Sequence, residues 1–99
     1  MREFLAAYPD HDLADNAQYW LGEAYYVTRD YENAVAAFTV VGERWPQSSK
    51  APDAMLKLGY AQFELKRVAA AKQTLTQVGV RYPGTEAARL AQERLRRIP

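Results

Sequence analysis

Three aromatic–proline pairs, Tyr8-Pro9, Trp45-Pro46 and Tyr82-Pro83, stand 37 residues apart. That interval constrains the fold more than any other feature of the chain. The same offset links Ala14, Ala51 and Ala88, then Ala17, Ala54 and Ala91, then Leu21, Leu58 and Leu95. It also joins Phe4, Val41 and Val78, and pairs Gly22 with Gly59, Ala24 with Ala61, Ala34 with Ala71, Phe38 with Leu75, and Arg44 with Arg81. Chance does not give so many matches at one spacing. A repeat of this length is one supersecondary unit, which buries its apolar side only against its neighbours.

Each unit reads as two helices. In the first, Leu13, Ala17, Leu21, Ala24 and Tyr25 share one helical face, and Asp10 or Asp12 caps the start by accepting orphan backbone N–H groups. Thr28-Arg29-Asp30 breaks the pattern, and Asp30 caps the next helix. That helix carries Tyr31, Ala34, Val35, Phe38, Val41 and Gly42 until Trp45-Pro46 stops it, because the residue before proline is pushed out of helical geometry. The second unit repeats the scheme. Ser48 or Ser49 caps, Pro52 sits in the first turn where its missing N–H costs nothing, and Ala54, Met55, Leu58, Ala61, Phe63 and Leu65 follow. After a turn near Lys66-Arg67 come Val68, Ala71, Leu75, Val78 and Gly79, and Tyr82-Pro83 ends that helix. Thr85 caps one more helix, with Glu86 facing the macrodipole and Ala88, Ala91 and Leu95 as its apolar stripe. No strand alternation is present.

The expected domain is therefore single and all-α: residues 1–9 as the tail of a preceding unit, 10–46 and 47–83 as two full repeats, and 84–99 as a capping helix. Gly22 and Gly59 fall in helix interiors, where Gly costs about 1 kcal/mol relative to Ala. A repeated cost implies a repeated need for close helix approach. Ala34 and Ala71 are the expected facing residues, with Phe38 and Leu75 filling the space beside the contact.

Composition narrows the chemistry. The 99 residues include no Cys and one His, which excludes disulfides, zinc thiolate sites, thiol nucleophiles and multi-His metal sites. No apolar run approaches the roughly 18 residues of a membrane span, so no membrane insertion is expected. Net charge is +1, which argues against nucleic acid as the main partner. The distribution is uneven. Residues 1–49 carry three Lys/Arg against eight Asp/Glu, net −5, and residues 50–99 carry ten against four, net +6. Such polarity suits either two solvated faces or head-to-tail association.

Catalytic constellations are poorly supported. Asp10-His11-Asp12 lies in an expected inter-helix loop and reads as solvated and capping. Asp15 and Glu23 span two turns with no implied apolar pocket. Ser48-Ser49 has no nearby base. Glycine-rich phosphate motifs are absent, and no cofactor is expected. Glu86 and Glu93 interrupt the basic last helix, so Arg94, Arg96 and Arg97 do not form a phosphate-binding stripe.

The unit resembles the tetratricopeptide repeat: Leu21-Gly22, Tyr25, Ala34, Phe38 and Pro46 in the first copy, and Leu58-Gly59, Ala71, Leu75 and Pro83 in the second. Gln18 and Met55 stand where that family often has Trp, and Gln62 where it often has Tyr. The family's usual repeat is about 34 residues, which places an insertion at Gln47-Ser48-Ser49. The resemblance implies a helical-hairpin solenoid, with a stub helix at one end, a polar cap at the other with Arg89, Arg94, Arg96 and Arg97 outward, and a concave surface lined by the first helix of each pair. The candidate groove residues are then Asn16, Tyr19, Trp20, Glu23 and Tyr26 from unit one, Asp53, Lys57, Tyr60, Phe63 and Glu64 from unit two, and Arg94 and Arg97 from the last helix. About half of Tyr19, Trp20, Tyr26 and Tyr60 are expected to be exposed enough to bind. The Lys/Asn pattern that holds C-terminal carboxylates in some members is not matched.

A narrower resemblance covers nearly the whole chain. AQYWLGEAYY at 17–26, WPQSSKAPDAMLKLGYA at 45–61 and RYPGTEAARLAQERL at 81–95 are similar to the C-terminal repeat domain of the YbgF/CpoB-type proteins of the Tol-Pal system. That resemblance implies a non-catalytic periplasmic adaptor that binds TolA, meets peptidoglycan synthase, and coordinates wall synthesis with outer-membrane constriction at division. In that family a coiled coil outside this region makes the full-length protein a trimer. The alternatives are a self-assembling repeat module and a BamD-like outer-membrane assembly factor, whose repeats share the aromatic–Pro ending.

Overall fold

The computed structural model describes residues 12–99. Five helices follow one another: α1 (Asp12–Val27), α2 (Tyr31–Arg44), α3 (Ala51–Glu64), α4 (Val68–Arg81) and α5 (Glu86–Arg97). No strand occurs among the described residues. The expected stub at 1–9, the Asp10 cap and His11 lie outside the described residues, as do the side chains of Asp12 and Leu13.

The helix starts and stops have local causes. The Asp30 carboxylate accepts from the Asn33 backbone N–H at 3.5 Å and from Asn33 Nδ2 at 2.8 Å, capping α2. Thr85 Oγ1 accepts from the Ala88 N–H at 3.1 Å, capping α5. The cap expected from Ser48 or Ser49 is different. Lys50 occupies the N-cap of α3 without a side-chain bond, and Pro52 lies in the first turn. Ser48 Oγ instead accepts from the Lys50 N–H at 3.0 Å and donates to the Asp15 carboxylate, so it ties the inter-repeat turn to α1.

Both intra-repeat turns use one device. Arg29 and Lys66, in register at 37 residues, have φ of +64° and +67°. Around each, the next N–H reaches back to close the preceding helix: Asp30 to Tyr25 O and Arg67 to Gln62 O, both at 2.9 Å. These are Schellman closures, in which a left-handed residue satisfies the last carbonyls and lets the chain reverse within three residues.

Consecutive helices pack throughout, α1 also touches α3, and α3 also touches α5, whereas α2 and α4 do not touch. The first helices of the pairs therefore crowd on one side and the second helices splay on the other. That difference curves the stack, with α1, α3 and α5 on the concave face.

The largest fully buried side chains are Phe38, Leu75, Val41 and Val78, two pairs of repeat equivalents. One apolar cluster joins Tyr19, Ala34, Phe38, Val41, Ala54 and Ala61. The other joins Leu56, Leu75, Val78, Ala87, Ala91 and Ile98. The glycine contact differs from the sequence expectation. A Cβ on Gly22 would stand 2.5 Å from Phe38 Cε1, and one on Gly59 would stand 2.7 Å from Leu75 Cδ2. Phe38 and Leu75 press directly on the glycines. Ala34 and Ala71 are fully buried but are not what the glycines make room for.

The recurring Arg44 and Arg81 also acquire a reason. Arg44 lies 4.9 Å from the Trp45 ring centre and Arg81 lies 5.6 Å from that of Tyr82, within cation–π range. Tyr82 then donates its hydroxyl to the Pro46 carbonyl at 3.0 Å, locking the end of one repeat to the end of the other.

Candidate protein-binding face

The seam between the first helices carries a regular ladder of polar contacts. Lys57 Nζ on α3 donates to Glu23 Oε1 on α1 at 2.6 Å. One repeat later, the Arg94 guanidinium on α5 lies 4.0 Å from the centre of the Tyr60 ring on α3. Glu23 and Tyr60 are repeat equivalents, as are Lys57 and Arg94. The same two positions therefore meet at both junctions, once as an ion pair and once as a cation over an aromatic face.

Aromatic surface flanks the ladder. Tyr26 is half-buried, 5.5 Å from Lys57 Nζ, and meets Tyr31 edge-on at 5.5 Å. Burial, and after it the Glu64 carboxylate, push the Tyr26 phenol above its ordinary pKa, so it is a neutral donor at physiological pH. Trp20 is 49% exposed, with Tyr19 at its edge 5.3 Å away and Lys50 Nζ 5.4 Å from its ring centre.

Of the twelve residues expected in the groove, Trp20, Glu23, Tyr26, Lys57, Tyr60 and Arg94 are brought together along this seam. Tyr19 is a correction. It is only 7% exposed, belongs to the first apolar cluster, and packs on Phe38 at 5.8 Å. Burial foremost, then Glu23 and Asp53, push its phenol up to about 12, as befits a core side chain. Phe63 is half-buried and packs on the second cluster. Glu64 and Arg97 are exposed at the rim, Arg97 70% so, with a 3.5 Å contact to Glu93. Asn16 and Asp53 are half-buried, and the buried Asn16 Oδ1 has no hydrogen-bond partner among the described residues. Arg94 is not simply outward as a solubilising cap would be, since its guanidinium stands over the Tyr60 ring at 4.0 Å. Arg89 is outward, held between Glu86 and Glu93. Sequence reasoning missed Lys50, which carries no repeat signal because its equivalents are Leu13 and Ala87.

Among the described residues no group of three or more His, Cys, Asp or Glu is placed to hold a metal ion, and no helix is long and apolar enough to cross a membrane. The surface offers stacking faces, one half-buried ion pair and rim charges, a chemistry of recognition. No curated protein matches the sequence. The tetratricopeptide repeat family model matches it twice, at residues 16–48 and 53–85, two thirds of the chain. With its helix pairs stacked in a 37-residue register and this model matched in both units, the chain belongs to the tetratricopeptide repeat family.

Proposed function

We propose that this domain is a non-catalytic adaptor that holds a segment of a partner protein along its concave face. We further propose that it works in the bacterial periplasm, with TolA as the partner and a peptidoglycan synthase as a second client. Tetratricopeptide repeats are protein-interaction modules, and the ladder of Glu23–Lys57 and Tyr60–Arg94 is the observation that carries the site. Aromatic rings and Arg dominate binding energy at protein interfaces, and here they sit on rigid helices rather than loops. The envelope assignment is supported by the strings at 17–26, 45–61 and 81–95, which resemble the Tol-Pal accessory domain.

The test is calorimetric titration of the domain with the periplasmic part of TolA. Binding is expected, with a loss of about tenfold or more on Tyr60→Ala, which removes the platform under Arg94, or on Tyr26→Ala. Binding that survives both substitutions moves the site off the concave face. No binding by a domain shown to be folded overturns the TolA assignment and favours the outer-membrane assembly reading.

A further inference from the structure

The two rungs of the seam are not equally complete. At the first, Lys57 Nζ has a carboxylate of the chain itself, Glu23 Oε1, at 2.6 Å. At the second, the position equivalent to Glu23 is Tyr60, so the cation equivalent to Lys57 meets a ring instead of an acid. Arg94 is half-buried. Among the described residues no carboxylate pairs with it, and no acceptor takes a hydrogen bond from its N–H groups. We propose that the segment held on the concave face brings the missing acid: an Asp or Glu side chain, internal to the partner's chain, that the Arg94 guanidinium grips from its place over Tyr60. This inference rests on the concave-face adaptor reading and names the chemistry of its ligand, but it does not rest on TolA.

Three observations select an acidic side chain. The first is the other rung, where the same column of the repeat already grips a carboxylate. The second is how Arg94 is held. The ring beneath the guanidinium restrains the side chain before any ligand arrives, so little freedom is lost when the planar fork closes on both oxygens of a carboxylate. The third is charge. Glu23 is taken by Lys57, and on α5 Glu93 is taken by Arg89 and Arg97, whereas the positive charge of Arg94 is left unneutralised amid aromatic surface. The nearby opposing charge is Glu64, which is exposed. Burial foremost, and then Glu64, raise the Tyr26 phenol while Arg94 lowers it. Both charges therefore act on one place without pairing to each other, and Glu64 repels an acidic ligand that Arg94 attracts.

Selection from a random peptide library tests it. Short peptides are displayed on phage with their C-termini fused to the coat protein, so that none offers a terminal carboxylate, and are selected on the purified 99-residue chain. The selected sequences are expected to share one position held by Asp or Glu. The affinity of a selected peptide, synthesised with an amidated C-terminus, should fall about tenfold or more on Arg94→Gln and rise about twofold on Glu64→Gln. Helical circular dichroism should be retained in both variants. Selection on Arg94→Glu should place Lys or Arg at that position instead. Selected peptides with no shared acidic position, an affinity indifferent to Arg94→Gln, or an affinity weakened by Glu64→Gln would overturn the acidic anchor and leave the adaptor reading standing. A selection that yields no binding peptide overturns the anchor and the concave-face reading together. TolA is absent from this assay, so a failed TolA titration bears on the TolA assignment and not on the anchor.

Discussion

The four helical glycines divide into two classes that a single substitution separates. Gly22 and Gly59 face side chains: a Cβ would come within 2.5 Å of Phe38 and 2.7 Å of Leu75. Gly42 and Gly79 face open space, with nothing within 4 Å. Replacing Gly by Ala inside a helix gains up to about 1 kcal/mol from backbone entropy. At Gly42 and Gly79 nothing opposes that gain. At Gly22 the methyl meets a ring that is 1% exposed and wedged among Tyr19, Ala34 and Val41. Overpacking of this kind costs about 1–3 kcal/mol, so Gly22→Ala should be neutral to destabilising by about 2 kcal/mol. Gly59→Ala should fare similarly, because the clash reaches Leu75 Cγ at 2.8 Å and not only a terminal methyl. In a domain of this size 1 kcal/mol moves the thermal midpoint by about 4–8 °C. Thermal unfolding followed by circular dichroism should therefore raise the midpoint for Gly42→Ala and leave it unchanged or lowered for Gly22→Ala. A Gly22→Ala protein stabilised as much as Gly42→Ala would refute the claim that Phe38 excludes a side chain there.

Two further outcomes follow from the turns and from Tyr19. Lys66 holds a left-handed backbone at φ +67°, which costs an L-residue about 1–2 kcal/mol, whereas Gly adopts it freely at an unfolded-state entropy cost of about 0.4–1 kcal/mol. Lys66→Gly should accordingly raise stability by up to about 1 kcal/mol in urea denaturation, and a clear loss would contradict the Schellman reading. Burial raises the Tyr19 phenol from 10.0 to about 12 and raises Tyr26 as well. The neutral forms are those the fold favours, so their contribution is complete below pH 10 and is lost as pH rises above it, for Tyr19 as pH climbs toward about 12. Ultraviolet titration of tyrosinate should show Tyr19 ionising last or only on unfolding, and Tyr19→Phe should flatten the alkaline fall in stability.

The helices were legible in the sequence because their causes are local. The 3.6-residue apolar period, Asp30 and Thr85 at the N-caps, and the aromatic–Pro stops each act within a few residues. The role of Ser48 was not, because its partner Asp15 is 33 residues away and only the folded stack brings the two together. Nor was the burial of Leu56 and Ile98, which lie off the stripes that the matched alanines and leucines define.

The groove shows most clearly where reading by residue type stops working. Tyr19 and Trp20 are adjacent aromatics, both reasonable candidates for recognition, and a helix turns them about 100° apart. Their repeat equivalents separate them. Within the two full repeats position 19 is matched by Leu56, an apolar side chain that is also buried, and only the last helix puts a charge there, Glu93, while position 20 is matched by Lys57 and again by Arg94. A column that accepts Trp, Lys and Arg has access to water, because a charged side chain is not buried without a partner. Tyr60 shares its column with Glu23 and Arg97, and belongs to the surface by the same reasoning. Reading the unmatched columns of the two full repeats for polarity, alongside the matched ones for packing, thus separates Trp20 and Tyr60 from Tyr19. It also accounts for the ladder: a position that is Glu23 and then Tyr60 along the chain faces one that is Lys57 and then Arg94. Each rung preserves an attraction while changing its chemistry, so the register of the stack is held without any residue being repeated at it.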